Sequence, residues 1–244
     1  MKALILAAGY GKRLRPITDT MPKAMVKVNG NPLLFSTLNN LTEIGIKEIG
    51  IVVGHMADYI KTHIGNCWNG ANISYYENAR YFETNNVVSL YEASSFFDDD
   101  TLMLECDIYY EKTILKQLIN AEGDCNILVS PFNEETMDGT IIHVNGDRAL
   151  ELILGKWQAE GFDYANMKKT VNMYYFTQEF AQKYMSLIGW YVKNMSENSY
   201  YEKVLGSLMY LRESDIRAVE IPENTWCEID DADDLERASK MKNL

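Results

Sequence analysis

One loop in the sequence is suited to receive a phosphate. Leu6-Ala7-Ala8-Gly9-Tyr10-Gly11-Lys12-Arg13 closes an apolar run, and Pro22-Lys23 follows soon after. Gly9 and Gly11 let backbone N–H groups approach an oxyanion closely, Ala7 and Ala8 leave room at the end of the run, and Arg13 and Lys23 add positive charge. The spacing is not that of a P-loop, which needs GxxxxGK[ST], and Leu14 stands where GxGxxG requires its third glycine. For the glycine pair alone, a turn flanked by solvated basic residues is the alternative. Two carboxylate positions end apolar stretches: Asp107 after Leu102–Cys106, and Asp230-Asp231 after Trp226–Ile229. Asp107 there also suits the opening of a loop, and Asp230 or Asp231 the N-cap of a following helix. His55, His63 and His143 are isolated, so no histidine-based nucleophilic mechanism is supported. Cys67, Cys106, Cys125 and Cys227 form no CxxC pair and have no histidine at ligand spacing, so reduced core thiols are expected.

The longer string LAAGYGKRLRPITDTMPKAMVKVNGNPLL, Leu6–Leu34, resembles the signature of the nucleotidyltransferases that activate sugar phosphates and phosphoalcohols. The match takes in the glycine pair, Arg13, Pro16, Thr18, Pro22-Lys23 and the Gly30/Pro32 helix entry. The resemblance implies a Rossmann-like three-layer α/β/α sandwich in which Leu6, Ala7, Ala8, Gly9 and Gly11 wrap an NTP triphosphate, while Arg13 and Lys23 neutralise it as pyrophosphate departs. It also implies that Asp107 and Asp230 hold Mg²⁺, a hard cation that takes one or two carboxylates and completes its shell with phosphate oxygens and water. The family's usual glycine before the first aspartate is Cys106 here, and Glu228 and Asp231 lie close enough in sequence to the second for either to assist.

Asn85-Asn86-Val87-Val88-Ser89-Leu90 resembles the phosphocholine and 2-aminoethylphosphonate cytidylyltransferases, where sugar-nucleotide enzymes carry a Gly-Thr-Ala-type segment. This assigns Asn85, Asn86 and Ser89 to the nucleotide, with helix capping as the alternative for the asparagines. Lys156, Lys169 and Asn172 lie around the strand where related enzymes position the acceptor. Lys156 is the first choice for the acceptor phosphate, and Tyr200-Tyr201-Glu202 and Tyr174-Tyr175 would line a pocket for a cationic amine, with core or interface packing the alternative for the tyrosines. The implied reaction is Mg²⁺-dependent transfer of CMP from CTP to a small zwitterionic phosphonate or phosphoalcohol, with 2-aminoethylphosphonate favoured and phosphocholine next. A sugar-1-phosphate nucleotidylyltransferase and a catalytically idle nucleotide sensor are the alternatives.

These residues need a scaffold, and the chain is large enough to build one. At 244 residues, 47% hydrophobic and 24% charged, it is expected to form a single globular domain over 1–244. Its net charge of −12 argues against nucleic acid and anionic membrane as partners, so any phosphate must be met locally. The apolar run Ala3–Ala8 falls short of the ~7–15 residues of a secretory core and the ~18 of a membrane span, so a cytoplasmic location is expected. A homodimer is compatible with this reading. Strands at Ala3–Ala8, Ile49–Val53, Ile73–Tyr76 and Thr101–Glu105 alternate with helices entering at Asn31-Pro32 and near Met56 and running over Val87–Ala93 and Thr113–Ala121. Four βα units predict a parallel sheet with helices on both faces and ligands beyond the carboxyl ends of the strands. The turn Asn145-Gly146-Asp147 predicts a hairpin of Thr140–Val144 with Ala149–Leu154. Further strands are expected at Thr170–Phe176 and Arg217–Ile221, and helices over Glu179–Lys193, Tyr201–Leu211 and Asp233–Met241. The fold class is therefore α/β, a mixed, mostly parallel sheet with antiparallel strands added.

Overall fold

Period-two alternation in the first strand sends its side chains to two different cores. In the computed structural model, which describes residues 1–241, Leu4, Leu6 and Ala8 pack on one face of the sheet and Ala3, Ile5 and Ala7 on the other. Both sets are apolar because both faces are covered by helices, as a parallel sheet requires.

The strands are β1 (Lys2–Ala7), β2 (Lys27–Val28), β3 (Asn31–Pro32), β4 (Glu48–Val53), β5 (Cys67–Trp68), β6 (Ala71–Glu77) and β7 (Thr101–Glu105). They continue with β8 (Ile108–Tyr110), β9 (Cys125–Pro131), β10 (Ile141–Asn145), β11 (Arg148–Ile153), β12 (Met167–Phe176), β13 (Ile216–Glu220) and β14 (Trp226–Glu228). The helices are α1 (Leu33–Glu43), α2 (Ala57–Ile64), α3 (Asn86–Glu92), α4 (Thr113–Asn120), α5 (Gln178–Asn194), α6 (Tyr201–Leu211) and α7 (Ala232–Lys240). Ten strands form the main sheet in the order β10-β11-β13-β9-β12-β7-β1-β4-β6-β5. The four strands of the βα units, β7, β1, β4 and β6, lie side by side and parallel. β12 then pairs antiparallel with both β7 and β9, and the hairpin β10–β11 extends the far edge. Helices α3, α5 and α6 cover one face, and α1, α2 and α4 the other.

Two features of this scaffold serve the carboxyl ends of the parallel strands. A small separate ladder pairs β14 with β8, setting Glu228 opposite Ile108, and the Ile229 N–H donates to the Asp107 carbonyl at 2.9 Å. Two segments more than a hundred residues apart are thereby joined beside the tip of β7. In β12 the register with β9 shifts between Thr170 and Tyr174, and Asn172 within that bulge has φ 57°. Asparagine tolerates the left-handed region better than most residues, and a bulge re-aims a side chain next to a site.

The strand Cys125–Pro131 had no counterpart among the sequence-predicted elements. One expectation about the cysteines is corrected: Cys106, Cys125 and Cys227 are buried, but Cys67 is exposed, because it sits on the two-residue edge strand β5.

Candidate active site

The loop after β1 is built around a close approach of its backbone to Lys23. Gly11 has φ 61°, and a Cβ there would lie 2.8 Å from Lys23 Cβ and 3.1 Å from Thr18 Cγ2. Thr18 Oγ1 holds the turn by donating to the Gly11 carbonyl at 2.8 Å. Gly9 differs, since a Cβ on it would meet nothing within 4 Å, so packing of the chain itself does not demand glycine there. The short helical turn Lys23–Met25 follows Pro22 and presents Lys23, 9% exposed, to the tips of β7 and β14.

Lys23 Nζ lies 2.5 Å from Asp107 Oδ2 and 2.5 Å from Asp230 Oδ1, and Arg13 Nη2 reaches the other Asp230 oxygen at 2.7 Å. Burial works against the Lys23 ammonium, but the two carboxylates outweigh it and hold the group protonated well above the ordinary lysine range. Burial likewise works against the Asp230 carboxylate, and Lys23 and Arg13 reverse its effect and lower the pKa. Glu228 is pushed up to about 6 by burial, with Lys169 opposing and Asp107 adding to the rise. Glu105 is driven well above the carboxylate range by burial and by the charges of Asp107 and Glu202.

Glu105 and Glu228 are the last residues of β7 and β14, and Asp107 and Asp230 follow each of them by two residues in the turn or loop beyond, so both pairs stand at strand tips. Glu105, Asp107 and Glu228 each offer an oxygen within 4.8 Å of the others, and Asp107 Oδ1 is buried without a hydrogen-bond partner. Asp231 is set apart from them: its side chain accepts from the Asp233 and Asp234 N–H groups and closes a capping box at the start of α7. Of the two adjacent aspartates, one therefore caps the helix and the other enters the site.

Two cavities meet at these groups. The first, about 350 Å³, is lined by Leu6, Ala8, Gly9, Gly11, Arg13, Lys23, Asn85, Asn86 and Ser89, with Asp107 and Asp230 at one wall. The second, about 310 Å³, is lined by Lys156, Lys169, Asn172, Tyr200, Glu202 and Glu228. Arg13, Asn86, Glu105, Asp107 and Asp230 line both.

The expected site residues fall into this frame with two corrections. Ala7 does not face the first cavity, because strand alternation turns its side chain into the opposite core. Tyr201 does not line the second. The first turn of α6 directs it inward, where it is fully buried and donates to Glu105 Oε1 at 2.7 Å, and Tyr200 takes the cavity-lining place. Lys156 stands at the mouth of the second cavity, with Nζ 5.4 Å from the Tyr200 ring centre and 5.6 Å from that of Trp157. Lys169 is buried, donates to the Thr170 carbonyl at 2.9 Å and pairs with Glu228 at 3.2 Å. Asn172 donates to Glu228 at 3.4 Å, and Ser89 accepts from Asn78 at 3.1 Å. Asn85 caps α3, its side chain accepting from the Asn86 N–H.

Residues 2–241 match the family model described as nucleotidyl transferase. The chain belongs to this family. This nucleotidyl transferase is 28% identical over 240 residues to the CMP-5'-(3-aminopropyl)phosphonate synthase of Streptomyces rubellomurinus, a match that covers 98% of the chain and 38% of that protein. It is also 28% identical over 258 residues to the CTP:phosphoglutamine cytidylyltransferase of Campylobacter jejuni, covering 97% of the chain and 98% of that protein. The chain thus spans well under half of the first relative and nearly all of the second. Among solved structures, the CTP:phosphocholine cytidylyltransferase of Streptococcus pneumoniae superposes with a TM-score of 0.75 at 24% identity over 99% of both chains, which shows the shared fold. No helix among the described residues of the nucleotidyl transferase is long and apolar enough to cross a membrane.

One functional candidate, Glu105, was absent from the residues picked out in sequence, although it was identifiable as the last residue of an apolar strand just before Asp107. Which of the adjacent Tyr200 and Tyr201 faces outward depends on where α6 begins.

Proposed function

We propose that this nucleotidyl transferase transfers CMP from CTP to a small acceptor bearing a phosphate or phosphonate at one end and an amine at the other. The observation that carries the reading is the wall of Asp107, Asp230 and Arg13 common to the two cavities, since a group transfer needs both substrates at one point. The triphosphate occupies the first cavity against Gly9, Gly11, Arg13 and Lys23. In the second, Lys156 takes the anionic end of the acceptor. Glu202 Oε2, buried and without a hydrogen-bond partner, takes the ammonium.

In this reading an acceptor oxygen forms a bond to the α-phosphorus of CTP, and the bond from that phosphorus to the bridging oxygen of the β-phosphate breaks, with its electron pair leaving on pyrophosphate. The acceptor oxygen is already anionic near neutral pH, so no general base is needed, and catalysis reduces to positioning and charge stabilisation. Lys23 and Arg13 hold positive charge beside the departing phosphates, and the burial of Lys23 strengthens that effect. The donor set of Glu105, Asp107 and Glu228 is all oxygen, includes the unpartnered Asp107 Oδ1 and fits a hard divalent cation, with Asp230 adjoining. Mg²⁺ bound there supplies charge that offsets both the acids and the triphosphate.

Pyrophosphate release measured with each of the four NTPs tests the nucleotide half of this reading. CTP is expected to exceed UTP by at least about tenfold, because groups matched to the 4-amino edge of cytosine are left unpaired against the 4-oxo edge of uracil, at ~1–3 kcal/mol. Equal use of CTP and UTP, with glucose-1-phosphate as acceptor, would return the chain to the sugar-nucleotide group.

A further inference from the structure

Asn86 borders both cavities, yet its amide oxygen is committed to the start of α6. The backbone N–H of Tyr201, at the first position of α6, donates to Asn86 Oδ1 at 3.0 Å. Tyr200, the N-cap residue of that helix, supplies no side-chain cap, so Asn86 caps α6 from another element. That bond fixes the orientation of the amide and anchors the backbone immediately before Glu202, and Asn86 and Glu202 both line the second cavity. The adjoining backbone ties the same segments together. The Asn85 N–H donates to the Glu197 carbonyl at 3.0 Å and the Val87 N–H to the Ser199 carbonyl at 3.3 Å. The start of α3 and the start of α6 are thus one assembly, with Asn86 at its centre and Glu202 as the group it aims.

We infer that Asn86 is a positioning residue for the acceptor, which sets the preference for an amine-bearing acceptor by holding the Glu202 carboxylate in the second cavity. The inference rests on the assignment of that cavity to a zwitterionic acceptor and extends it to the residue that enforces the choice. The amide oxygen of Asn86 is taken by the backbone of α6, so reading the nucleotide base falls mainly to its neighbours in the first cavity. Glu202 by itself could turn away from the ammonium. Thr140, the side chain that donates to it, does so at 3.4 Å, close to the limit of a hydrogen bond.

The test uses two acceptors of nearly equal size, 2-aminoethylphosphonate and ethylphosphonate, which differ in the amine. In Asn86→Ala, KM for 2-aminoethylphosphonate is expected to rise about tenfold, while KM for ethylphosphonate and for CTP stays within about twofold. Glu202→Gln should show the same pattern. The double variant should be no worse than Glu202→Gln alone, the non-additivity of two residues acting as a unit. Asn86→Ser, whose side chain is too short to reach the Tyr201 N–H, gives the same readout if the alanine variant fails to fold. A rise in KM for CTP with acceptor discrimination intact overturns the inference, as does an equal loss for both acceptors or a double variant whose losses multiply. A wild-type chain that uses CTP but prefers ethylphosphonate overturns the zwitterion reading itself, and the inference with it.

Discussion

Lys23→Ala is expected to lower kcat by more than about tenfold, a loss of at least ~1.4 kcal/mol of transition-state stabilisation. Negative charge builds on the leaving pyrophosphate as the bond to the α-phosphorus breaks, so a fixed ammonium matters most at that stage. The fold prepares Lys23 for it, because the near approach of Gly11 packs its stem and Asp107 and Asp230 at 2.5 Å keep it charged despite burial. Steady-state kinetics with saturating acceptor separate the roles. A variant with wild-type kcat and only a raised KM for CTP would reduce Lys23 to a ground-state contact.

Asp107→Asn should cost more, about a hundredfold in kcat or ~2.7 kcal/mol, with the fold retained. Asparagine preserves the shape of the side chain and one acceptor oxygen but removes the charge that a divalent cation requires. Asp107 lies at the meeting point of the two cavities, 2.5 Å from Lys23 and within the Glu105–Asp107–Glu228 cluster. Asp231→Ala is the contrasting variant, losing about 1 kcal/mol of stability with its helix cap and leaving turnover unchanged. Measured side by side as Mg²⁺ titrations of activity and as thermal melts, the pair separates a metal-directed carboxylate from a capping one. Unchanged activity and Mg²⁺ dependence in Asp107→Asn would contradict the assignment.

Local pattern made individual elements along the chain legible. Thr101–Glu105 and Tyr201–Leu211 run as the sequence predicts, and the Asn145-Gly146-Asp147 turn forms its hairpin, because each is decided by near neighbours and burial. The strand Cys125–Pro131 carried a usable signal, the apolar run Ile127-Leu128-Val129, but its partners β12 and β13 lie far along the chain. The site shows the same division. Gly11, Arg13 and Lys23 share one loop and were visible together, whereas the meeting of Asp107 with Asp230 depends on β8 pairing with β14. The inward turn of Tyr201 and the double use of Asn86 depend on how α3 and α6 dock, and no spacing within either helix encodes that.

The acceptor carries the central claim, and direct competition tests it most plainly. With the native chain, CTP, Mg²⁺ and equal concentrations of 2-aminoethylphosphonate, phosphocholine and glucose-1-phosphate, the products are resolved by phosphorus NMR and mass. The expected result is a CMP conjugate of 2-aminoethylphosphonate in excess, phosphocholine second and little sugar nucleotide. The ammonium of the first has three donors for Glu202, whereas trimethylammonium has none and relies on a fuller aromatic cage. A predominance of the glucose product would contradict the account.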